Sequence, residues 1–147
     1  MTTSVVGAIT PSVERAEIDR ALLKSTDSLA AYDHYMRGIA SAYQWTREST
    51  TEALRQYYKA IELDPKFAMA YALAASCHIW RKINGWVTDP VGEVAETSRL
   101  VEQATRLGQD DAQVLGWSGA APASVVGQVD EGVALINRAL RLKIGYL

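Results

Sequence analysis

The stretch Thr51-Glu-Ala-Leu-Arg-Gln-Tyr-Tyr-Lys-Ala-Ile-Glu-Leu-Asp-Pro65 decides the fold. Ala53, Leu54, Tyr57, Ala60 and Ile61 recur at the spacing of one helix face, with charged residues between them. Two later stretches align beneath it, Glu96-Thr-Ser-Arg-Leu-Val-Glu-Gln-Ala-Thr-Arg-Leu107 and Glu131-Gly-Val-Ala-Leu-Ile-Asn-Arg-Ala-Leu-Arg-Leu142. Each carries a small residue (Ala60, Ala104, Ala139) three positions before a terminal leucine (Leu63, Leu107, Leu142). Each also carries an apolar residue (Tyr57, Val101, Ile136) three positions before the small one. A loosely spaced internal repeat of helical units follows from this alignment.

Helix punctuation surrounds these units. Thr10-Pro11, Asp64-Pro65 and Asp89-Pro90 each place a capping side chain before a proline. Ser49 with Glu52 reads as a capping box, Asp27-Ser28 opens another helix, and Asp110-Asp111 and Asp130 mark the last two starts. Val13, Ile18, Leu22 and Leu23 follow Pro11 at roughly helical spacing, and no alternating run argues for a strand. The expectation is an all-α chain of about seven helices.

Ala53…Tyr57…Ala60-Ile-Glu-Leu-Asp-Pro65 resembles the second half of a tetratricopeptide repeat (TPR), and Ala68-Met-Ala-Tyr71…Ala75 resembles the start of the next. The stretch from Asp27 to Leu142 also resembles TPR regions appended to bacterial class III nucleotide cyclases and winged-helix regulators, although nothing here resembles their catalytic or DNA-binding parts. The resemblance implies a right-handed α-solenoid of about three helix pairs. Its parts are an N-terminal helix over 1–26, repeats over 27–65 and 66–109, and a degenerate repeat over 110–147 with Pro122 inside its first helix. Gly38, Ala75 and Gly119 are then the small residues at close helix crossings, with Tyr57, Tyr71, Val101 and Ile136 filling the space beside them.

Composition excludes several function classes. Apolar residues make up 48% and charged residues 22%, with a net charge of −2, so no clustered basic face points to nucleic acid. Arg81-Lys82 and Arg138, Arg141 and Lys143 read as cations at helix C-terminal ends. Cys77 is the single cysteine, so no intrachain disulfide forms. Met1 to Gly7 lacks a signal-peptide pattern, and the stretch Ala112–Gln128 is too short and too broken by glycines and Pro122 to span a membrane. A cytoplasmic location with no membrane partner is the expectation.

The residues ask for no catalysis, cofactor or metal. Cys77 and His78, like Asp33 and His34, are chain neighbours whose side chains diverge by about 100° on a helix. Two histidines fall short of a zinc set. Gly116-Trp-Ser-Gly119-Ala lacks the strand and triad of a nucleophile elbow. Glu93, Glu96, Glu102, Asp110, Asp111, Asp130 and Glu131 read as a solvated face complementing helix dipoles.

Surface features remain. The resemblance implies a groove lined by first helices, with Tyr35, Ile39, Tyr43, Met69, Ser76, Trp80, Gln113 and Ser124 as its candidates, each equally a core residue. This groove is aromatic and apolar, suited to a peptide or amphipathic helix from a protein partner. Trp45 and Trp86 fall in loops at one end, either as a contact patch or folded back over their own repeats. Ile136, Leu140, Ile144, Tyr146 and Leu147 make an apolar C-terminal edge, which invites pairing with a second copy. The expected function is a protein-interaction scaffold in bacterial signalling or regulation. The alternatives are a regulatory fragment of a multidomain cyclase or transcription regulator, and a small-ligand sensor closing a pocket between Tyr43, Trp80 and the first helix.

Overall fold

The computed structural model describes the backbone at residues 26–121 and 129–144, and side chains at 26–119 and 130–142. Within these residues the chain is all-α, with six helices and no strand: α1 Leu29–Ala42, α2 Arg47–Leu63, α3 Ala68–Ile83, α4 Pro90–Leu107, α5 Ala112–Ala121 and α6 Val129–Ile144. The N-terminal helix expected after Pro11, and Pro122 with Ser124, lie outside the described residues. Each helix packs on the next in sequence, and α3 also packs on α5. The core gathers Tyr35 and Ala31 of α1, Ala53, Tyr57 and Ala60 of α2, the Ala70–Ala75 run of α3, and Leu100, Val101 and Ala104 of α4.

Local chemistry sets the helix ends. Ser28 caps α1 by accepting from the Ala31 N–H at 3.1 Å, and Thr26 donates to Asp64 Oδ2 at 2.5 Å, which ties the start of α1 to the end of α2. Asp89 caps α4 by accepting from the Gly92 N–H, and Asp111 accepts from the Gln113 and Val114 N–H groups to start α5. Two expected boundaries move. The capping box of α2 is Thr46 with Ser49, not Ser49 with Glu52: each hydroxyl accepts from the other's N–H, at 2.9 and 3.0 Å. Glu52 instead binds Arg55 and Gln56 along its own helix. Asp64-Pro65 ends α2 rather than starting α3, because a residue before proline is pushed out of helical geometry. Phe67 precedes α3 without a side-chain cap.

Close crossings occur at the expected small residues. A Cβ on Gly38 would meet the Tyr57 ring, and a Cβ on Gly119 would meet Ile136 Cγ1 at 2.7 Å. Ala75 is fully buried. Gly85 closes α3 in the left-handed region, φ 71°, with the Gly85 N–H bonded to the Lys82 carbonyl and the Trp86 N–H to the Arg81 carbonyl. This is the two-bond C-terminal motif that glycine favours.

Candidate functional site

The C-terminal half of α1 and the length of α3 face a groove of about 650 Å³. Tyr35, Ile39, Tyr43, Met69, Ser76 and Trp80 all line it, so six of the eight side chains expected there are brought together. Gln113 is exposed and is absent from the lining, since its position follows the Asp111 cap at the outer start of α5. The α5 contribution comes instead from Gly116 and Trp117. Leu73, Cys77 and Ile79 of α3 complete the apolar wall.

Trp45 joins this groove. Its ring meets Trp80 at 4.8 Å between centroids with the planes at 62°, and meets Tyr43 at 6.0 Å and 85°. These are edge-to-face arrangements that aromatic quadrupoles favour. Trp45 stands at φ 59°, the left-handed region that a bulky residue adopts at a cost of about 1–2 kcal/mol. Trp86 is half-buried after Gly85 and is not among the groove residues. The rim is open, because Tyr43, Trp45 and Trp117 are 70%, 55% and 51% exposed. Among the described residues no Asp, Glu, Lys, Arg or His lines the groove.

Burial pushes the Cys77 thiol up to about 12, so the groove holds no thiolate near neutral pH. Burial likewise raises the Tyr35 and Tyr57 hydroxyls. Its described lining presents mainly apolar area and aromatic ring faces.

Behind it lies a polar network joining α2, α3 and α4. His78 Nδ1 is 2.6 Å from Glu93 Oε1, and Arg81 Nε donates to the same oxygen at 3.0 Å. The Tyr58 hydroxyl donates to Glu96 Oε1 at 2.9 Å, and Glu96 also binds Arg99. Burial acts to raise the Glu96 carboxyl, but the bonds from Arg99 and Tyr58 outweigh it and hold it below its usual range. Two sequence expectations are corrected here. Glu93 is not on a solvated face but buried, 9% exposed, because α3 sets His78 and Arg81 against the first turn of α4. Arg81 accordingly answers Glu93 and not only the end of its own helix. The second histidine, His34, bonds Gln56 at 2.7 Å, so the two histidines serve separate networks. Among the described residues no group of three or more His, Cys, Asp or Glu is placed to hold a metal ion. No described helix is long and apolar enough to cross a membrane.

On α6, Val133, Ile136 and Leu140 are 49%, 39% and 51% exposed. The side chain of Ile144, and Tyr146 and Leu147, lie outside the described residues. No protein-family model matches the chain, and no curated protein matches it.

Proposed function

We propose that this chain is a protein-interaction module whose aromatic groove binds an apolar segment of a partner protein, on a right-handed stack of three TPR-like helix pairs. The observation that carries the reading is the trio of exposed rings, Tyr43, Trp45 and Trp117, around an uncharged groove of about 650 Å³. Large rings left in solvent at the mouth of an apolar groove are the anchors that protein interfaces use. The strained backbone at Trp45 adds support, because a costly conformation that sets a side chain at a surface site points to a use for that side chain. The resemblance to TPR regions of bacterial regulators sets the same module in signalling or regulation.

A displayed library of random twelve-residue peptides, panned on the full chain and on Trp45→Gly and Trp117→Ala, tests the reading. The native chain is expected to select apolar, aromatic-seeking peptides, and each substitution to weaken them by about tenfold or more, the loss typical of an interface anchor. Glycine at 45 relieves the positive φ, so the variant keeps its fold. Selected peptides that bind both variants as tightly as the native chain sink the groove as the site.

A second reading concerns the exposed row Val133, Ile136 and Leu140. In the repeat alignment Val133 and Leu140 correspond to Leu54 and Ile61, which are buried in the core and half-buried against it. The α6 face carries the same apolar pattern without that cover, and a second copy of the chain is its proposed partner.

A further inference from the structure

The open row on α6 also bears on how two copies meet, an inference that rests on the second-copy reading above. Val133, Ile136 and Leu140 stand at i, i+3 and i+7, so they form one line along the helix. One side of that line is closed by α5: Gly132 and Ala139 are buried, with the Gly132 carbonyl close to Gly119 and the Ala139 methyl close to Gly116. The other side is open. Asp130, Asn137 and Arg141 fall there on one stripe, at i, i+7 and i+11, and all three are exposed. Along α6 this stripe runs negative, neutral, positive. Among the described residues neither Asp130 nor Arg141 has a salt-bridge partner, whereas Arg138 is held by the Gln109 carbonyl.

The order of charge selects a direction. Polar positions beside an apolar seam set partner choice and orientation where helices pair. Two α6 helices laid in the same direction and in register bring Asp130 against Asp130 and Arg141 against Arg141, repulsive at both ends. A twofold axis across α6 at the level of Ile136 reverses this. Val133 then meets Leu140 of the second copy, Ile136 meets its twin, and Asp130 meets Arg141 at both ends, each within about one residue's rise of 1.5 Å. Asn137 falls beside the axis, where its neutral amide faces the same amide. Such a contact is isologous and closes at two copies. We propose that two copies pair antiparallel through α6 about this axis, each apolar row covering the other and Asp130 bridging to Arg141 of the second copy on both flanks.

Sedimentation equilibrium of the full chain tests this, on the native sequence, Asp130→Arg, Arg141→Asp and the variant carrying both exchanges. Each single exchange sets like charges together at both ends of the pair. It is expected to weaken pairing by about fivefold or more at low salt, and by less at high salt, where exposed charges are screened. The double exchange restores opposite charges and is expected to recover most of the loss, as contacting residues couple. Thermal unfolding of each variant checks that α6 is intact, and Asp130→Asn with Arg141→Gln, which remove attraction without adding repulsion, are expected to weaken pairing less than the reversals. A dimer that ignores every exchange, or that the double exchange weakens beyond either single one, overturns the antiparallel setting while the second-copy reading stands. A native chain that stays monomeric at millimolar concentration removes that reading, and this inference with it.

Discussion

Gly38 lies directly against the ring of Tyr57: a Cβ at 38 would stand 2.5 Å from Cε1 and 2.7 Å from Cδ1. Tyr57 is 2% exposed and packed in the core, so its ring gives way only by disturbing its neighbours. Gly38→Ala is therefore expected to destabilise the chain, although alanine is the better helix former by about 1 kcal/mol. Overpacking costs about 1–3 kcal/mol, which leaves a net loss of up to about 2 kcal/mol, or a fall in Tm of up to roughly 8 °C. Thermal unfolding of Gly38→Ala alone and with Tyr57→Leu checks it. The double variant is expected to recover part of the loss attributable to position 38, as contacting residues couple.

Gly119 repeats the relationship with Ile136 across α5 and α6, but with a weaker partner. Ile136 is part-exposed and can turn away, whereas the Gly132 carbonyl at 3.1 Å and the Ile136 nitrogen at 3.2 Å cannot. Gly119→Ala is expected to cost less than Gly38→Ala, about 1 kcal/mol or under. A larger loss at 119 than at 38 in urea unfolding contradicts this ranking.

The two glycine contacts indicate which parts of the structure were readable from residues alone. The TPR resemblance implies Gly38 and Gly119 as small positions at helix crossings, with Tyr57 and Ile136 as the apolar residues beside them. The same resemblance sets Tyr35, Ile39 and Tyr43 with Met69, Ser76 and Trp80 along one groove, and all six line it. Three features escaped for physical reasons. Trp45 enters the groove through a left-handed turn that no glycine, asparagine or aspartate announces. Trp117 sits in a helix whose Val114 and Leu115 are buried and whose remaining residues are mostly small or apolar, so no polar face reveals which side is open. Glu93 looks like any acidic residue in a first helical turn, and only the packing of α3 on α4 sets it against His78 and Arg81.

His78 and Glu93 form a buried pair in which each side chain answers the other. Removing His78 leaves Glu93 with Arg81 alone and opens space beside Tyr58. His78→Ala is expected to cost about 1–3 kcal/mol, the usual consequence of removing one partner of a buried hydrogen bond, because Arg81 still answers Glu93. Glu93→Gln, which keeps the shape and a polar partner, is expected to cost less. Denaturant unfolding near neutral pH ranks the two, and equal losses argue that the pair contributes only volume.

Cys77 couples the groove to alkaline pH. Its folded-state thiol is pushed up to about 12 by burial, above the ordinary value of 9.0, so the folded chain holds the proton that the unfolded chain releases. The stability tied to this proton is intact below about pH 9 and declines as pH rises from there towards 12. Burial raises the Tyr35, Tyr57 and Tyr58 hydroxyls in the same direction, which steepens the loss at the alkaline end. Two measurements check this: iodoacetamide modifies Cys77 in the folded chain far more slowly at pH 8 than in urea, and the urea midpoint drops between pH 9 and pH 11. Rapid labelling of the folded chain at pH 8 shows that the thiol is open to solvent.

The exposed row on α6 makes a prediction about assembly that is independent of the groove. Val133 and Leu140 occupy positions whose α2 counterparts, Leu54 and Ile61, are more covered. An aspartate at 140 meets water if the face is free, so it changes monomer stability little, within about 0.5 kcal/mol. The same substitution at a contact between copies strands a carboxylate in an apolar interface and weakens pairing by a factor of 10 or more. Light scattering after size exclusion is therefore expected to show the native chain concentrating into a dimer and Leu140→Asp remaining a monomer, with both unfolding at similar temperatures. Tyr43→Asp, on the groove rim, is expected to leave the dimer intact. A native chain that stays monomeric at millimolar concentration removes the second copy as the partner of this face and leaves the groove reading untouched.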